Sequence, residues 1–176
     1  MYRKHPDGEA DEHIYSELYD SDIFYNEHDK VQHAPSDNET CKREKVMAAL
    51  MFWLDATQLA TFGTAKIWPV YMLFGNLSKY IHSKADSGAT KHLTYIPPLP
   101  DLLQDELKMF HSKWGTQQKA ILTHCCRELM HAVWRVLLDN NFIHAHTYRI
   151  VVRCHDGVER CIYPHIFTYL ADYPEK

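Results

Sequence analysis

Two aspartates at the ends of apolar runs are the residues of this chain that could do chemistry. Asp55 follows the run Met51–Leu54, and Asp172 follows a second run, Ile166–Ala171. A carboxylate at the end of a buried strand needs a compensating partner, and Mg²⁺ or Mn²⁺ is a partner that prefers oxygen ligands. If the two strands lie side by side, the carboxylates could hold metal ions for a phosphodiester displacement. The alternative is that Asp55 only caps the turn that follows it.

Histidine and cysteine raise the alternative of a zinc site in the second half of the chain. The sequence contains no Cys-x-x-Cys pair, and the adjacent Cys125 and Cys126 face different directions on a helix. A helix with buried cysteine and exposed histidine is therefore the favoured interpretation. The sequence also has no glycine-rich phosphate loop and no Gly-x-Ser-x-Gly nucleophile motif.

Hydrophobic periodicity predicts the elements that would position the two aspartates. We expect a mixed α/β order with three strands first, then one or two long helices, and further strands after them. The predicted strands are Val46–Leu54, Lys66–Leu77, Lys91–Ile96, Tyr148–Val152, Val158–Tyr163 and Ile166–Ala171, and the predicted helices begin at Asp101 and span Gln117–Asp139. A hairpin turn is predicted at Asp156-Gly157, a pair typical of two-residue turns.

The charged residues are unevenly distributed, with an acidic N-terminal segment followed by a mildly basic remainder. Residues 1–40 carry eleven acidic and three basic side chains, a balance of −8, whereas residues 41–176 carry twelve acidic and sixteen basic ones, a balance of +4. We expect 1–40 to be an acidic N-terminal tail and linker, with a short helix that opens at Asp22, and 41–176 to be the folded core. The net positive charge of residues 41–176 permits a polyanion partner but does not require one.

Cysteine usage and hydropathy favour an intracellular protein. Five cysteines, an odd number without the spacing of a disulfide framework, are typical of a reducing compartment. No run approaches the roughly 18–20 apolar residues that cross a bilayer. The first 13 residues are charged and contain no apolar leader. We therefore expect neither membrane insertion nor secretion.

Several long motifs resemble the transposases of the Plavaka family of fungal DNA transposons, which are related to the CACTA-type elements. The block from Ala48 to Ile81, AALMFWLDATQLATFGTAKIWPVYMLFGNLSKYI, is specific because it contains D-x-T-x-L-x-x-F-G followed by W-P-V-Y and G-N-L. The similarity continues through HLTYIPPLPD, LTHCCRELMHAVWRVLLD and VVRCHDGVERCIYPHIFTYLADYPEK. It extends from about Ile14 to the C-terminus.

The resemblance implies a catalytic domain with an RNase H-like fold that cleaves and transfers DNA phosphodiesters by metal-ion catalysis. In that fold the first catalytic aspartate lies on the first strand, a position that Asp55 matches. The second follows the fourth strand, where Asp172-Tyr173-Pro174 resembles an Asp-x-Pro motif of related sequences. Asp156 is the alternative second metal ligand, although its turn-like setting favours a hairpin. Mg²⁺ or Mn²⁺ would be the cofactor of the intact family.

Departures from the family pattern change the function that we expect. Family members continue into a Cys-rich stretch and a later acid that completes the catalytic set, whereas this chain stops at Lys176. We therefore expect an incomplete RNase H-like mixed sheet, truncated at the C-terminus, and a fragment or relic of a cut-and-paste DNA transposase with little or no cleavage by itself.

The expected partner is DNA, in the nucleus, without a small-molecule substrate, and a homo-oligomer is compatible with this interpretation. One alternative is a domesticated, non-catalytic domain that binds DNA or a protein partner. Another is a chain that does not fold stably.

Overall fold

A computed structural model of the chain describes residues 2–3, 12–34, 41–58 and 66–171. The strands, numbered in chain order, are β1 (Tyr2–Arg3), β2 (Glu12–His13), β3 (Glu44–Leu54), β4 (Thr57–Gln58), β5 (Lys66–Phe74), β6 (Thr90–Ile96), β7 (Ile150–Arg153) and β8 (Glu159–Ala171). The α-helices are α1 (Asp22–His33), α2 (Lys79–His82), α3 (Asp101–Phe110), α4 (Trp114–Leu137) and α5 (Asn140–Tyr148). Two single turns of 3₁₀ helix lie at Leu18–Asp20 and Ala85–Ser87.

One mixed sheet positions the candidate site. Its strand order is β4-β5-β3-β8-β7, and β6 also pairs with β5, while β1 and β2 form a separate two-stranded sheet. β4 pairs antiparallel with β5, and β7 pairs antiparallel with β8. The predicted mixed α/β order is confirmed, and the three predicted N-terminal strands correspond to β3, β5 and β6.

β3 and β8 are neighbours that run in the same direction. At their starts, Arg43 donates a hydrogen bond of 2.9 Å to Glu159, and Arg160 donates one of 2.7 Å to Glu44. In both pairs the partners are 116 residues apart in the sequence, so both pairs fit one register of β3 against β8. Because the starts of these two neighbouring strands meet at one end, the strands are parallel and their carboxyl ends belong to the same edge of the sheet.

The chain divides into two compact units. Unit one consists of Met1–Met51, Leu73–Thr90 and Asn141–Thr168, and unit two consists of Phe52–Met72, Lys91–Asn140 and Tyr169–Lys176. The strands β3, β5 and β8 each contribute residues to both units. The starts of β3 and β8 therefore belong to unit one, and their carboxyl ends belong to unit two.

In unit one, the predicted short helix at Asp22 is present as α1. The Ser21 hydroxyl caps its first turn by accepting a hydrogen bond from the Phe24 backbone N–H. At its other end, Lys45 donates to the backbone carbonyls of Gln32 and Ala34, at 3.1 and 2.5 Å. The buried cluster beside this helix consists of Val31, Met47, Cys161 and Tyr163, with Phe24, Cys41 and Phe167 packed against it.

The Gly75-Asn76 pair of the G-N-L motif continues the pairing of β5 with β3 beyond the end of β5. The Gly75 N–H donates to the Ala49 carbonyl at 2.7 Å, and the Asn76 side chain accepts from the Ala49 N–H at 2.8 Å. The same side-chain amide donates to the Met47 carbonyl at 2.8 Å. A Cβ at position 75 would overlap the Leu18 side chain, so this close approach favours glycine.

The two strands predicted after the hairpin, Val158–Tyr163 and Ile166–Ala171, are parts of one continuous strand, β8. Pro164 lies inside β8 and is buried. The Pro164 carbonyl oxygen forms a hydrogen bond with the His146 ring nitrogen Nδ1, 2.8 Å away. A side chain from α5 therefore contacts the backbone of β8 at this proline.

The long helix ends at Leu137, two residues before its predicted end at Asp139, and a further helix that was not predicted, α5, begins at Asn140. The strand predicted from Tyr148 begins instead at Ile150. Between them, Arg149 adopts a left-handed conformation with φ of 78°, which ends α5 before the chain enters β7.

Candidate functional site

Asp55 directly follows β3 and its side chain is exposed. Side chains at the end of β3 alternate, because Phe52 and Leu54 are buried whereas Trp53 is 45% exposed. Asp55 therefore extends the exposed side of the strand that also carries Trp53. Among the described residues, none forms a hydrogen bond or an ion pair with the Asp55 carboxylate.

Asp172 lies outside the described residues. It comes one position after Ala171, the last residue of β8. The structure therefore describes the strand that leads to Asp172 but not the carboxylate itself.

In unit two, Trp134 of α4 contacts both of the strands that lead to the two aspartates. Its ring lies edge-on to Phe52 of β3, with centroids 5.1 Å apart, and edge-on to Tyr169 of β8, with centroids 5.2 Å apart. The Tyr169 hydroxyl also donates to the Met130 sulfur of α4 at 3.7 Å. One helix therefore fixes the carboxyl ends of both strands.

Asp156 lies in the confirmed β7–β8 hairpin, where Gly157 has the positive φ of 79° that this turn requires. The Asp156 carboxylate accepts a hydrogen bond from the Val158 N–H at 3.0 Å and forms an ion pair with Arg160 at 2.7 Å. The bond from Arg160 is the main factor that lowers the pKa of Asp156. Asp156 belongs to unit one, whereas Asp55 belongs to unit two.

The donors available for a metal ion are carboxylate oxygens. Among the described residues, no group of three or more His, Cys, Asp or Glu side chains is placed to hold a metal ion. The Asp55 carboxylate is of the type that Mg²⁺ and Mn²⁺ prefer, since it is exposed and no cation contacts it among those residues. The described histidines and cysteines likewise form no such cluster.

An exposed row of aromatic rings lies beside Asp55 in unit two, and it was not predicted from the sequence. The row crosses three strands: Trp53 contacts Tyr71 with ring centroids at 5.9 Å, Tyr71 contacts His92 at 5.5 Å, and His92 contacts Tyr95 at 4.1 Å. Trp53 and Tyr95 are 45% and 51% exposed. Only the adjacency of β3, β5 and β6 reveals the row, because its members come from separate strands.

None of the helices in the described residues is long and apolar enough to cross a lipid bilayer. No curated protein and no solved structure matches the chain. A family model described as Plavaka transposase matches residues 2–176, which include both strands that lead to Asp55 and Asp172. The chain therefore belongs to the Plavaka transposase family.

Proposed function

We propose that this chain contributes the first two metal-binding carboxylates, Asp55 and Asp172, of a transposase core that acts on DNA phosphodiesters. The observation that carries the proposal is the parallel pairing of β3 with β8, the two strands that end just before these aspartates. Equivalent ends of parallel neighbours lie at one edge of a sheet, so the pairing favours two carboxylates that share an ion.

The register of the two strands supports the same assignment. Phe52 and Tyr169 both contact Trp134, and each lies three residues before its aspartate. Phe52 and Tyr169 are 117 residues apart, as are Asp55 and Asp172. The pairs at the starts of the strands are separated by 116 residues, so the register is kept along the strands to within one residue.

An RNase H-like fold is the arrangement that we infer from this topology. β3, β5 and β6 would be its first three strands, α4 the helix that follows them, and β8 its fourth strand beside the first. The short strands β4 and β7 would be additions to that plan. The inferred fold places one aspartate after the first strand and one after the fourth, which agrees with Asp55 and Asp172.

Each residue of the site has a separate role in the proposal. The Asp55 and Asp172 carboxylates would hold Mg²⁺ or Mn²⁺ and so bind the phosphate group of DNA beside the strand ends. When bound, such an ion stabilises charge on the attacking and leaving oxygens of a phosphodiester displacement. Trp134 would be a positioning residue, because it contacts Phe52 and Tyr169 on the two strands that lead to the aspartates.

The exposed row of Trp53, Tyr71, His92 and Tyr95 supports DNA as the substrate. Bases stack on exposed aromatic faces whatever their sequence, a contact that contributes about 1–3 kcal/mol per base. The row lies on the exposed side of β3 that ends in Asp55, so unpaired bases bound there would lie beside the proposed metal site.

Metal binding to the 176-residue chain tests the proposal directly. Free and bound Mn²⁺ are distinguished by electron paramagnetic resonance, a measurement that does not depend on cleavage of DNA. We expect Asp55→Asn and Asp172→Asn each to weaken Mn²⁺ binding by about tenfold or more, because each removes a charged oxygen ligand. Asp86→Asn, a loop aspartate of unit one, is the matched control and should bind as the unchanged chain does.

Asp156→Asn decides between the two candidates for the second ligand. Arg160 already occupies both oxygens of Asp156, so we expect this variant to retain Mn²⁺ binding. Loss of binding in Asp156→Asn together with normal binding in Asp172→Asn would reassign the second ligand. Normal binding in Asp55→Asn would refute the metal site as a whole.

A non-catalytic role in DNA binding is the second candidate function. The balance of +4 over residues 41–176 favours contact with a polyanion, independent of metal. DNA affinity that falls steeply with salt but is unchanged in Asp55→Asn and without Mg²⁺ would support this role over the first. In both cases the DNA partner places the proposed site of action in the nucleus.

A further inference from the structure

Two cysteines of unit one, Cys41 and Cys161, lie near the starts of the parallel strands β3 and β8. Cys41 lies just before β3 and is half-buried, and it packs against the cluster that contains Cys161 of β8. Cys161 is only 1% exposed. An interaction between the two thiols also contributes to the pKa of each. The two cysteines therefore belong to one packed cluster although 120 residues separate them in sequence.

Arg43 is fixed with its guanidinium group against the more exposed of these two thiols. Its Nη1 donates to the Cys41 sulfur at 3.7 Å. Its Nε and Nη2 bind the Glu159 carboxylate at 2.9 and 2.8 Å, which holds the group in this orientation. The cleft beside them, of about 550 Å³, is lined by residues from both strand starts, so small molecules in solution can reach this region.

We propose that Cys41 is a peroxide-reactive thiol and that Cys161 resolves its oxidised form as a disulfide. A nearby guanidinium group stabilises a thiolate, and the thiolate is the nucleophilic form of cysteine. A second thiol beside a reactive cysteine is the arrangement in which a sulfenic acid is converted to a disulfide.

The proposed reaction consumes one hydrogen peroxide molecule and both thiols. The Cys41 thiolate attacks one peroxide oxygen, the O–O bond breaks, and the second oxygen leaves as hydroxide, which takes up a proton to give water. The Cys161 sulfur then attacks the sulfenic sulfur of Cys41, the S–O bond breaks, and the hydroxyl leaves with the Cys161 proton as a second water. The thiols lose two electrons, and the peroxide gains them.

The pKa values of the two thiols differ in the direction that this division of roles requires. Hydrogen bonds from the backbone and then the guanidinium group of Arg43 lower the pKa of Cys41 from 9.0 to about 7. Burial is the main factor that raises the pKa of Cys161, and the bond to Cys41 raises it further. At neutral pH the half-buried Cys41 thiol is therefore the one that ionises, and the buried Cys161 thiol keeps its proton.

Limited oxidation of the 176-residue chain tests the proposal. After treatment with one equivalent of hydrogen peroxide at pH 7, mass spectrometry of unreduced peptides should find Cys41 joined to Cys161. In Cys161→Ser, dimedone should label Cys41, because the sulfenic acid then has no partner thiol. Cys161→Ala is a second variant for the same purpose, and circular dichroism confirms that each variant is folded.

The role of Arg43 is tested by rate rather than by product. Arg43→Gln should slow the reaction of Cys41 with peroxide at pH 7 by about five- to tenfold, because a smaller fraction of the thiol is ionised. Arg153→Gln, on the exposed strand β7 of the same unit, is the matched control and should leave the rate unchanged. Equal oxidation of Cys125, Cys126 or Cys154, or an unchanged rate in Arg43→Gln, would overturn the proposal.

Discussion

Arg160 donates a hydrogen bond of 2.7 Å to the carboxylate of Glu44, although the two residues are 116 positions apart in the sequence. The same guanidinium group binds Asp156 at 2.7 Å, so one cation joins the start of β3 to the β7–β8 hairpin. Bonds to Asp156, Cys154 and Glu44 raise the pKa of Arg160. The contact is one of two that set the parallel register of β3 and β8.

Met47→Ala should destabilise the chain strongly. Met47 is 1% exposed and belongs to the buried cluster of unit one, so its truncation leaves a cavity that costs about 2–5 kcal/mol. Urea denaturation followed by circular dichroism measures the loss. The same change at Met109 of α3, which is 71% exposed, is the control and should alter the free energy of unfolding by less than about 0.5 kcal/mol. Equal effects would contradict the assignment of the core.

Asn76→Asp should destabilise the chain because it removes one of two hydrogen bonds to the backbone of β3. The aspartate side chain has no N–H to donate to the Met47 carbonyl, and an unpaired carbonyl costs about 1–3 kcal/mol. Thermal unfolding at pH 7 gives the size of the change. Gln118→Glu, the same amide-to-acid change on the exposed face of α4, should be close to neutral.

Acidification should destabilise the chain through His165. Burial is the main factor that lowers the pKa of His165, the charge of His146 lowers it further, and Glu27 opposes both. The folded pKa is therefore below the unfolded value of about 6.5, and the unfolded chain binds more protons between the two values. The contribution of neutral His165 is present above pH 6.5 and is lost as pH falls through the folded pKa.

His165→Gln measures that contribution, because glutamine does not titrate. We expect the melting temperature of the unchanged chain to fall more between pH 7.5 and pH 5.5 than that of the variant. His131→Gln, on α4 with a side chain that is 61% exposed, should keep the pH dependence of the unchanged chain. If the melting temperature of His165→Gln falls with pH as much as that of the unchanged chain, His165 does not contribute to the pH dependence of stability.

Trp134→Ala should weaken Mn²⁺ binding at the proposed Asp55–Asp172 site without removing any ligand. Trp134 contacts Phe52 and Tyr169, so its loss frees the ends of both strands. We expect binding to be weaker by about tenfold or more at a temperature where the variant is still folded, since groups that support metal ligands commonly contribute about 10–100-fold. Val136→Ala on the same helix, where the side chain is 77% exposed, is the control.

Local patterns predicted the parts of the fold that local chemistry determines. The end of β3 at Leu54 follows from the apolar run that stops at Asp55, and the turn at Asp156-Gly157 follows from the positive φ that glycine adopts. The continuity of β8 through Pro164 was missed, because a window of neighbouring residues contains the proline but not the strands that pair with β8.

The candidate site was predictable only in part for the same reason. Asp55 could be identified because the apolar run before it is contiguous in sequence. The aromatic row beside it could not, since Trp53, Tyr71 and His92 come together only when three strands pair. The neighbouring thiols of Cys41 and Cys161 are likewise brought together by the pairing of β3 with β8.

The long separation between β3 and β8 has a consequence for synthesis of the chain on the ribosome. At about 5–20 residues per second, roughly 6–20 s pass between translation of Glu44 and of its partner Arg160. During that time one edge of the most apolar strand in the chain has no partner strand, and exposed apolar edges associate readily with other chains. We therefore expect the nascent protein to depend on chaperones until β8 has left the ribosome.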